Sequence, residues 1–220
     1  MKLLLTSGGI TNKKIADALL ELVGKPAEEI NLAFVPTAAN ADRDNKVWFI
    51  DNLYQLKQQK YKTIDIVDIS ALPKWNWQAR LELADVLFFS GGNSTHLMRW
   101  INESGLKELL PELLKNKVWV GVSAGSVVTA PTLALSNQEK ALTYKEKFGY
   151  ETNEALNFTD FYFRPHLNSN SSPHSKKEIL AEFAKTTPKI VYGLDDQMAL
   201  KVVDRKVEVV GEGKYVVFNK

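Results

Sequence analysis

A serine occupies the centre of a Gly-x-Ser-x-Gly pattern at residues 121–125. Residues 118–120 form an apolar run before it, and residues 126–128 can begin a helix. On such a strand–turn–helix corner the hydroxyl projects beyond the edge of the sheet, and the two glycines let the strand and the helix approach closely. This pattern, a nucleophile elbow, predicts Ser123 as a nucleophile for acyl transfer and the amide of Ala124 as a donor to the oxyanion. A tight turn whose small residues only permit close packing would show the same pattern.

A serine hydroxyl is a poor nucleophile without a general base, and the chain contains three histidines. His166 follows an apolar run at residues 161–165 that is typical of a strand, and the active-site residues of α/β sheets collect at strand ends. His96 lies a few residues into a predicted helix, and His174 lies in a polar loop. We therefore expect His166 to be the base, with His174 as the next candidate. A buried histidine bonded to the backbone is the alternative for His166.

The imidazole of such a base needs an acidic partner that fixes its tautomer. Asp195 and Asp196 come at the end of a predicted strand at residues 190–194. Because side chains alternate in direction along an extended segment, we expect only one of the two carboxylates to face His166. The residues alone leave open which one it is, and an acidic turn at the surface is the alternative.

Two glycine-rich loops follow predicted strands. Residues 90–93 (Ser-Gly-Gly-Asn) lie before a helix capped by Asn93 or Ser94, and their bare amides suit a second oxyanion donor. A phosphate-binding loop is the alternative, but the lysine of a P-loop is missing. Residues 7–9 form a similar loop without an acidic residue in a ribose-binding position, so nucleotide binding is not expected.

The composition excludes several classes of protein. Without cysteine, the chain forms neither disulfides nor thiolate metal sites, and cysteine catalysis is excluded. The histidines are not accompanied by clustered carboxylates, so we expect no metal and no cofactor. Lysine and arginine total 28 against 26 aspartate and glutamate, and the net charge of +2 is spread along the chain. This balance argues against a nucleic-acid partner.

One stretch, residues 118–138, contains no charged side chain and is long enough to span a bilayer. Glycine, serine, threonine and proline interrupt it, so we expect a buried strand–turn–helix and no membrane partner. The N-terminus lacks the long apolar run of a secretory signal peptide. Together with the lack of disulfides, this leads us to expect a cytoplasmic protein.

The elements that must position these side chains are strands and helices that alternate along the first part of the chain. Up to residue 130, short runs that are apolar throughout alternate with helical patterns, which predicts parallel strands covered by helices on both faces. The predicted strands are residues 2–6, 31–36, 63–69, 85–90 and 117–122, and the predicted helices include a first one capped by Thr11 or Asn12 and a second at 47–59.

The pattern changes in the last part of the chain. Ser175 and Glu178 have the spacing of a capping box at the start of a helix. Four strands are predicted after it, at residues 190–194, 199–203, 206–210 and 215–218. We expect them to extend the same sheet in antiparallel fashion. The prediction is one α/β domain over residues 1–220, with three layers and a mostly parallel sheet.

Four motifs occur in a fixed order along nearly the whole chain: residues 91–95 (Gly-Gly-Asn-Ser-Thr), 121–125, 164–166 (Arg-Pro-His) and 193–196 (Gly-Leu-Asp-Asp). In this order and rough spacing the chain resembles the peptidase E family, serine peptidases best known as aspartyl dipeptidases, with cyanophycinases among their relatives. The resemblance implies an α/β sandwich like that of class I glutamine amidotransferases, with serine in place of the cysteine at the elbow.

The resemblance also implies roles for individual residues. It implies Ser123 as nucleophile, His166 as base and Asp196 as the acidic partner, at a position where the family usually has glutamate. It implies the amides of Gly92 and Ala124 as the oxyanion hole. The chain order serine, histidine, aspartate differs from that of α/β-hydrolases, which argues against a lipase or an esterase.

Two departures from the family pattern bear on the substrate. An aspartate that follows the elbow in aspartyl dipeptidases is Gln138 here, and an arginine near the elbow helix is Ala134. Selecting an aspartyl side chain requires a fixed cation. Arg164, two residues before His166, is the candidate, although a structural ion pair is its alternative role. We expect Arg164 and Asn93 to bind substrate.

The sequence thus predicts a serine peptidase that hydrolyses short peptides, with Asp-Xaa dipeptides as the narrower option. A different acyl hydrolase, such as an amidase, and a non-catalytic binding protein on the same scaffold are the alternatives, since fold alone does not choose among them. A small peptide is the expected partner, and a homodimer is left open.

Overall fold

The computed structural model describes residues 1–170 and 172–220. Its strands are β1 (Lys2–Thr6), β2 (Asn31–Val35), β3 (Thr63–Ile66), β4 (Val86–Phe89), β5 (Val118–Val122), β6 (Tyr162–Arg164), β7 (Val191–Leu194), β8 (Met198–Val203), β9 (Lys206–Gly211) and β10 (Tyr215–Phe218). Its α-helices are α1 (Lys13–Val23), α2 (Val47–Gln58), α3 (Lys74–Leu83), α4 (Ser94–Glu103), α5 (Leu106–Leu113), α6 (Ala124–Val127), α7 (Gln138–Phe148) and α8 (Lys177–Ala184).

Seven strands form the main sheet, in the order β3-β2-β4-β5-β1-β8-β9. The first five of these pair in parallel, and β8 and β9 pair in antiparallel with their neighbours. The mostly parallel α/β sheet predicted from the apolar runs is therefore confirmed. Because β4, β5 and β1 are neighbours, the loops after their carboxyl ends meet at one edge of the sheet.

Side chains of the main sheet alternate between two apolar clusters. On one face, Leu4 and Phe34 pack with Ile15 and Leu19 of α1 and with Leu56 of α2. The opposite face packs against α3, α4, α5 and α6. Helices thus cover both faces, which is why the central strands are apolar throughout.

A second sheet of three strands, in the order β10-β7-β6, accompanies the main sheet. The prediction of a C-terminal extension of one sheet is right for β8 and β9 but wrong for β7 and β10. The physical reason is that the second sheet is apolar on both faces. Phe163 and Tyr192 face the main core, whereas Tyr162 and Val191 pack with Leu180 of α8.

Other local predictions also need correction. The capping box is wrong, because α8 begins at Lys177 without a side-chain cap and Ser175 lies in the preceding 3₁₀ turn, where its hydroxyl contacts Arg164. Asn12 is the cap of α1, and Asn93 is the cap of α4.

The uncharged stretch at residues 118–138 contains β5 and α6, which are buried. Across the described ranges, no helix combines the length and apolar character needed to cross a bilayer.

Candidate active site

Polar or glycine residues that follow the ends of five strands line one cavity of about 620 Å³. Ser7 follows β1, Gly92 lies in the loop after β4, and Ser123 follows β5 directly. His166 and Asp196 come from the ends of β6 and β7 in the second sheet. The cavity therefore lies where the carboxyl edges of the two sheets meet.

The turn at Ser123 is tight and its backbone is strained. Ser123 has φ 48° and ψ −105°, a conformation that non-glycine residues rarely adopt. A Cβ atom added to Gly121 would lie 2.4 Å from the carbonyl of Gly125, and one added to Gly125 would lie 2.3 Å from the carbonyl oxygen of Phe89. Glycine is therefore required at both flanking positions, because β4, β5 and α6 approach too closely for any side chain.

Three side chains of the site form a continuous line of hydrogen bonds. His166 Nε2 lies 2.9 Å from Ser123 Oγ, and His166 Nδ1 lies 2.6 Å from Asp196 Oδ1. A hydroxyl, an imidazole and a carboxylate in this order have the geometry of a serine nucleophile with its base and its orienting acid.

Asp195 has a different role from its neighbour. Its carboxylate accepts hydrogen bonds from the backbone amides of Gln197 and Lys214, at 3.0 and 2.6 Å. It therefore ties the β7–β8 turn to the segment before β10, and only Asp196 faces His166.

Ser7 connects the two sheets, a role that its sequence context does not predict. Its buried hydroxyl donates to Asp196 Oδ1 at 2.8 Å and accepts from the backbone amide of His166 at 2.8 Å. His166 has φ 61°, so this hydrogen bond holds its backbone in an uncommon conformation. The only sequence signal was a serine directly after the first strand, which is not specific for this role.

Ser7 and His166 also set the charge state of Asp196. Burial acts to raise the pKa of the Asp196 carboxyl, but the hydrogen bond and charge of His166, followed by the hydrogen bond from Ser7, outweigh burial. The pKa of Asp196 is therefore held below its ordinary value, and the group is a carboxylate at neutral pH.

The backbone amides of Gly92 and Ala124 lie at the cavity in two different local settings. Gly92 has φ 137°, and a Cβ atom there would lie 2.0 Å from the carbonyl oxygen of Ala38, so no other residue fits. Ala124 is the first residue of α6. Within the described part of the chain neither amide donates a hydrogen bond to another group, and both residues line the cavity.

The two residues expected to bind substrate lie in different places. Arg164 lines the cavity and is 5% exposed. Asn93 is 1% exposed and is absent from the cavity wall. Its side chain caps α4 at the amide of His96 and donates to Asp42 and to the carbonyl of Lys140. The structure thus places Asn93 as a support of the glycine loop.

The other two histidines are remote from Ser123. His96 Nδ1 is 2.8 Å from the hydroxyl of Tyr144, and His174 is exposed in the turn before α8. Neither lines the cavity. In the ranges 1–170 and 172–220, no three His, Asp or Glu side chains cluster as metal ligands.

One wall of the cavity comes from α2 and the loop before it, although no sequence motif connects these residues with the site. Trp48, Asp51 and Gln55 recur at helical spacing and line the cavity, together with Asp44. Trp48 lies beside Gly91, since its Cζ3 atom is 3.4 Å from the place of a Cβ there. This wall adds two carboxylates and an aromatic ring.

The model of peptidase family S51 matches residues 3–210. A peptidase E of Pasteurella multocida is 28% identical over 213 residues, covering 94% of this chain and 83% of that protein. An uncharacterized peptidase of the same organism is 23% identical over 189 residues, covering 86% of this chain and 88% of that protein.

A solved structure with a similar fold is a putative peptidase E protein from Listeria monocytogenes EGD-e. Its TM-score is 0.77 at 21% identity, and the alignment covers 96% of this chain and 98% of that one. A peptidase from an acI-B1 Actinobacterium aligns with a TM-score of 0.68 at 20% identity, over 97% and 88% of the two chains. At these identities the structures support the fold.

Proposed function

The chain belongs to peptidase family S51, and from this premise we propose that it is a serine peptidase that hydrolyses short peptides with a Ser123–His166–Asp196 triad. The observation that carries the proposal is the unbroken line from Ser123 Oγ through both nitrogens of His166 to Asp196, at 2.9 and 2.6 Å. A base within this distance of the hydroxyl meets the geometric requirement for nucleophile activation.

In the proposed reaction, Ser123 Oγ attacks the scissile carbonyl carbon while its proton passes to His166 Nε2. Asp196 holds the imidazole in the tautomer that accepts the proton and stabilises the resulting charge. The carbon–nitrogen bond then breaks as His166 returns the proton to the leaving amine. Water, deprotonated by the same imidazole, hydrolyses the acyl-enzyme and restores Ser123.

The turn at Ser123 acts as a nucleophile elbow in this proposal. The amides of Gly92 and Ala124 donate to the oxygen that becomes negatively charged when Ser123 attacks. Their lack of partners among the described residues supports this role, since preorganised donors need no rearrangement during the reaction.

The cavity supports a short peptide as the substrate. Its volume of about 620 Å³ is that of a pocket for a small ligand. Asp51 on the α2 wall disfavours an acidic residue beside it, whereas Asp44 is paired with Lys46. We therefore propose a range of short peptides and not Asp-Xaa dipeptides alone.

The proposal is tested with purified wild type, Ser123→Ala and a control variant on Ala-Phe, Asp-Phe and Asn-Phe, with release of free phenylalanine measured by chromatography. Ser126→Ala is the matched control. This serine is buried in α6, which begins directly after Ser123, and its hydroxyl donates to the carbonyl of Thr6. We expect Ser123→Ala to lower kcat by about 10⁴-fold or more, with little change in Ser126→Ala.

Equal hydrolysis by wild type and Ser123→Ala would overturn the proposal. Turnover of simple amides without turnover of any peptide would favour an amidase, and binding of the dipeptides without turnover would favour a binding protein.

A further inference from the structure

Arg164 differs from the other partly or fully buried arginines of the described chain because it has no carboxylate partner. Arg80 pairs with Asp65, and Arg99 pairs with Glu103. Arg164 as a residue is 5% exposed, and its Nε and Nη1 atoms donate to Ser175 Oγ at 2.9 Å and to the carbonyl oxygen of Leu135 at 2.6 Å. Both partners are neutral, so the charge is not compensated.

A buried charge without a counter-ion is unfavourable, and native proteins almost always pair it. Burial lowers the pKa of Arg164 to about 10, which leaves the group charged at neutral pH. The Nη2 atom donates to no group of the described residues, while Arg164 lines the catalytic cavity. The site is therefore a fixed guanidinium with free donors at the wall of a cavity, which is a typical carboxylate-binding arrangement.

The position of Arg164 indicates which part of a peptide it meets. The leaving amine takes its proton from His166 Nε2, so the leaving nitrogen must lie within hydrogen-bond reach of this ring. Arg164 and Pro165 directly precede His166 and line the cavity with it. In a dipeptide the carboxylate is two bonds from the leaving nitrogen, within reach of a side chain on this wall.

The α2 wall carries a carboxylate of its own. Asp51 lines the cavity there, whereas Asp44 is paired with Lys46. We expect the acyl residue of the substrate to lie beside Asp51. A carboxylate placed there would be repelled, whereas a free α-amino group would be attracted.

We propose that Arg164 binds the free C-terminal carboxylate of the residue that leaves, so that the enzyme acts on the last peptide bond of short peptides, dipeptides above all. This inference rests on the proposed peptidase activity and adds to it the chemical group that selects the substrate. Arg164 acts as a specificity determinant, with Ser175 and the carbonyl of Leu135 holding the guanidinium in place.

The first test begins with the wild-type enzyme. It compares kcat/KM for Ala-Phe and Ala-Phe amide, and for Asp-Phe and Asn-Phe. We expect removal of the C-terminal charge to lower kcat/KM by about 100-fold, the usual cost of leaving a buried charged group unpaired. Equal rates on Ala-Phe and Ala-Phe amide would overturn the inference. So would a preference for Asp-Phe over Asn-Phe of that size that is lost in Arg164→Gln, because it would assign Arg164, and not Lys140 of the same cavity, to an acidic acyl residue.

The second test uses Arg164→Gln and Arg164→Lys, with Arg80→Gln as the control that removes a guanidinium outside the cavity. Arg164→Gln is expected to abolish the preference for Ala-Phe over its amide, mainly through KM, and Arg164→Lys to restore part of it. Arg80→Gln should keep the wild-type ratio. An unchanged ratio in Arg164→Gln contradicts the inference. If Arg164→Gln does not fold, the inference is decided by the ratio of kcat/KM for Ala-Phe and its amide in wild type and in Arg164→Lys.

A binding measurement separates this inference from the proposed function. Calorimetry with Ser123→Ala protein compares Ala-Phe with Ala-Phe amide without any turnover. Tighter binding of Ala-Phe in a protein whose wild type hydrolyses no peptide would reject the peptidase and keep the carboxylate site. If wild type hydrolyses peptides but Ser123→Ala protein binds Ala-Phe and Ala-Phe amide with equal affinity, the peptidase activity stands and the carboxylate site is rejected.

Discussion

The two halves of the candidate site are held by different forces. In the main sheet, Gly92 and Ser123 are positioned by close backbone approaches that leave no space for a side chain at Gly92, Gly121 or Gly125. In the second sheet, His166 and Asp196 are positioned by hydrogen bonds, above all those of Ser7. The first half is thus fixed by steric exclusion, and the second by polar contacts between distant parts of the chain.

This difference has a consequence for catalysis. Steric exclusion acts over a few ångströms and tolerates no added atom. A half that is held by hydrogen bonds keeps its fold when one donor is lost, but it holds its imidazole less firmly. Variants of the glycines in the first half should therefore lower stability and activity together, and variants of the second half should lower activity with little effect on stability.

The largest expected effect comes from breaking the contact between the halves. His166→Ala should lower kcat by about a million-fold, because nucleophile and base act as one unit. The double variant Ser123→Ala/His166→Ala should be no slower than either single variant. The measurement is kcat on the best dipeptide, and additive losses would contradict a shared role.

The acidic partner should contribute less. Asp196→Asn is expected to lower kcat by about 10³- to 10⁴-fold, because the amide favours the wrong imidazole tautomer. Asp195→Asn is the matched control, since its carboxylate accepts from the backbone amides of Gln197 and Lys214 and forms no hydrogen bond with His166. Equal losses in the two variants would mean that Asp196 has no special relation to His166.

The steric half is tested through stability. Gly92→Ala places a Cβ atom 2.0 Å from the carbonyl oxygen of Ala38, so we expect a loss of more than about 3 kcal/mol in the free energy of unfolding. Gly149→Ala is the control, because Gly149 also has a positive φ but no atom lies within 4 Å of the added Cβ. It should cost only about 1–2 kcal/mol, the strain of the left-handed backbone. Denaturant unfolding that gives equal losses would contradict the steric account.

The smallest effect is expected at Ser7. Ser7→Ala should lower kcat about tenfold, because one hydrogen bond to Asp196 and one to the His166 backbone are lost. Thr11→Ala is the control, since its hydroxyl donates to the backbone carbonyl of Asp196 and accepts from Asn12 Nδ2, and forms no hydrogen bond with the Asp196 carboxylate. A tenfold loss in both variants would remove the special role of the Ser7 hydroxyl.

Ser7→Ala also changes the pH dependence of stability. The pKa of Asp196 lies below its unfolded value of about 3.9, so the interaction stabilises the fold above that pH and is lost as pH falls through the folded-state pKa. The difference in unfolding free energy between wild type and Ser7→Ala should therefore be constant near neutral pH and shrink below about pH 4. A difference that grows toward acid would contradict this sign.

The two halves also differed in how well the sequence predicted them. The strand at 118–122, the glycines around Ser123 and the loop at Gly92 form local patterns in the sequence. The close approaches at Gly92 and Gly125 involve the distant residues Ala38 and Phe89, but the need for glycine is still visible at the glycine positions themselves. Ser7 lies 159 and 189 residues from its two partners, and a serine after a strand has no specific signature. The second sheet was missed for the same reason, since strand order depends on contacts that apolar runs do not encode.

The measurement that tests the central claim most directly is covalent labelling of the serine. A fluorophosphonate probe reacts with a hydroxyl only when a base activates it. After incubation with wild type, His166→Ala and Ser126→Ala, peptide mass spectrometry identifies the labelled residue. We expect the label on Ser123 in wild type and in Ser126→Ala, and its loss in His166→Ala. A folded wild type that is not labelled, or a label on Ser123 that persists without His166, would contradict the account.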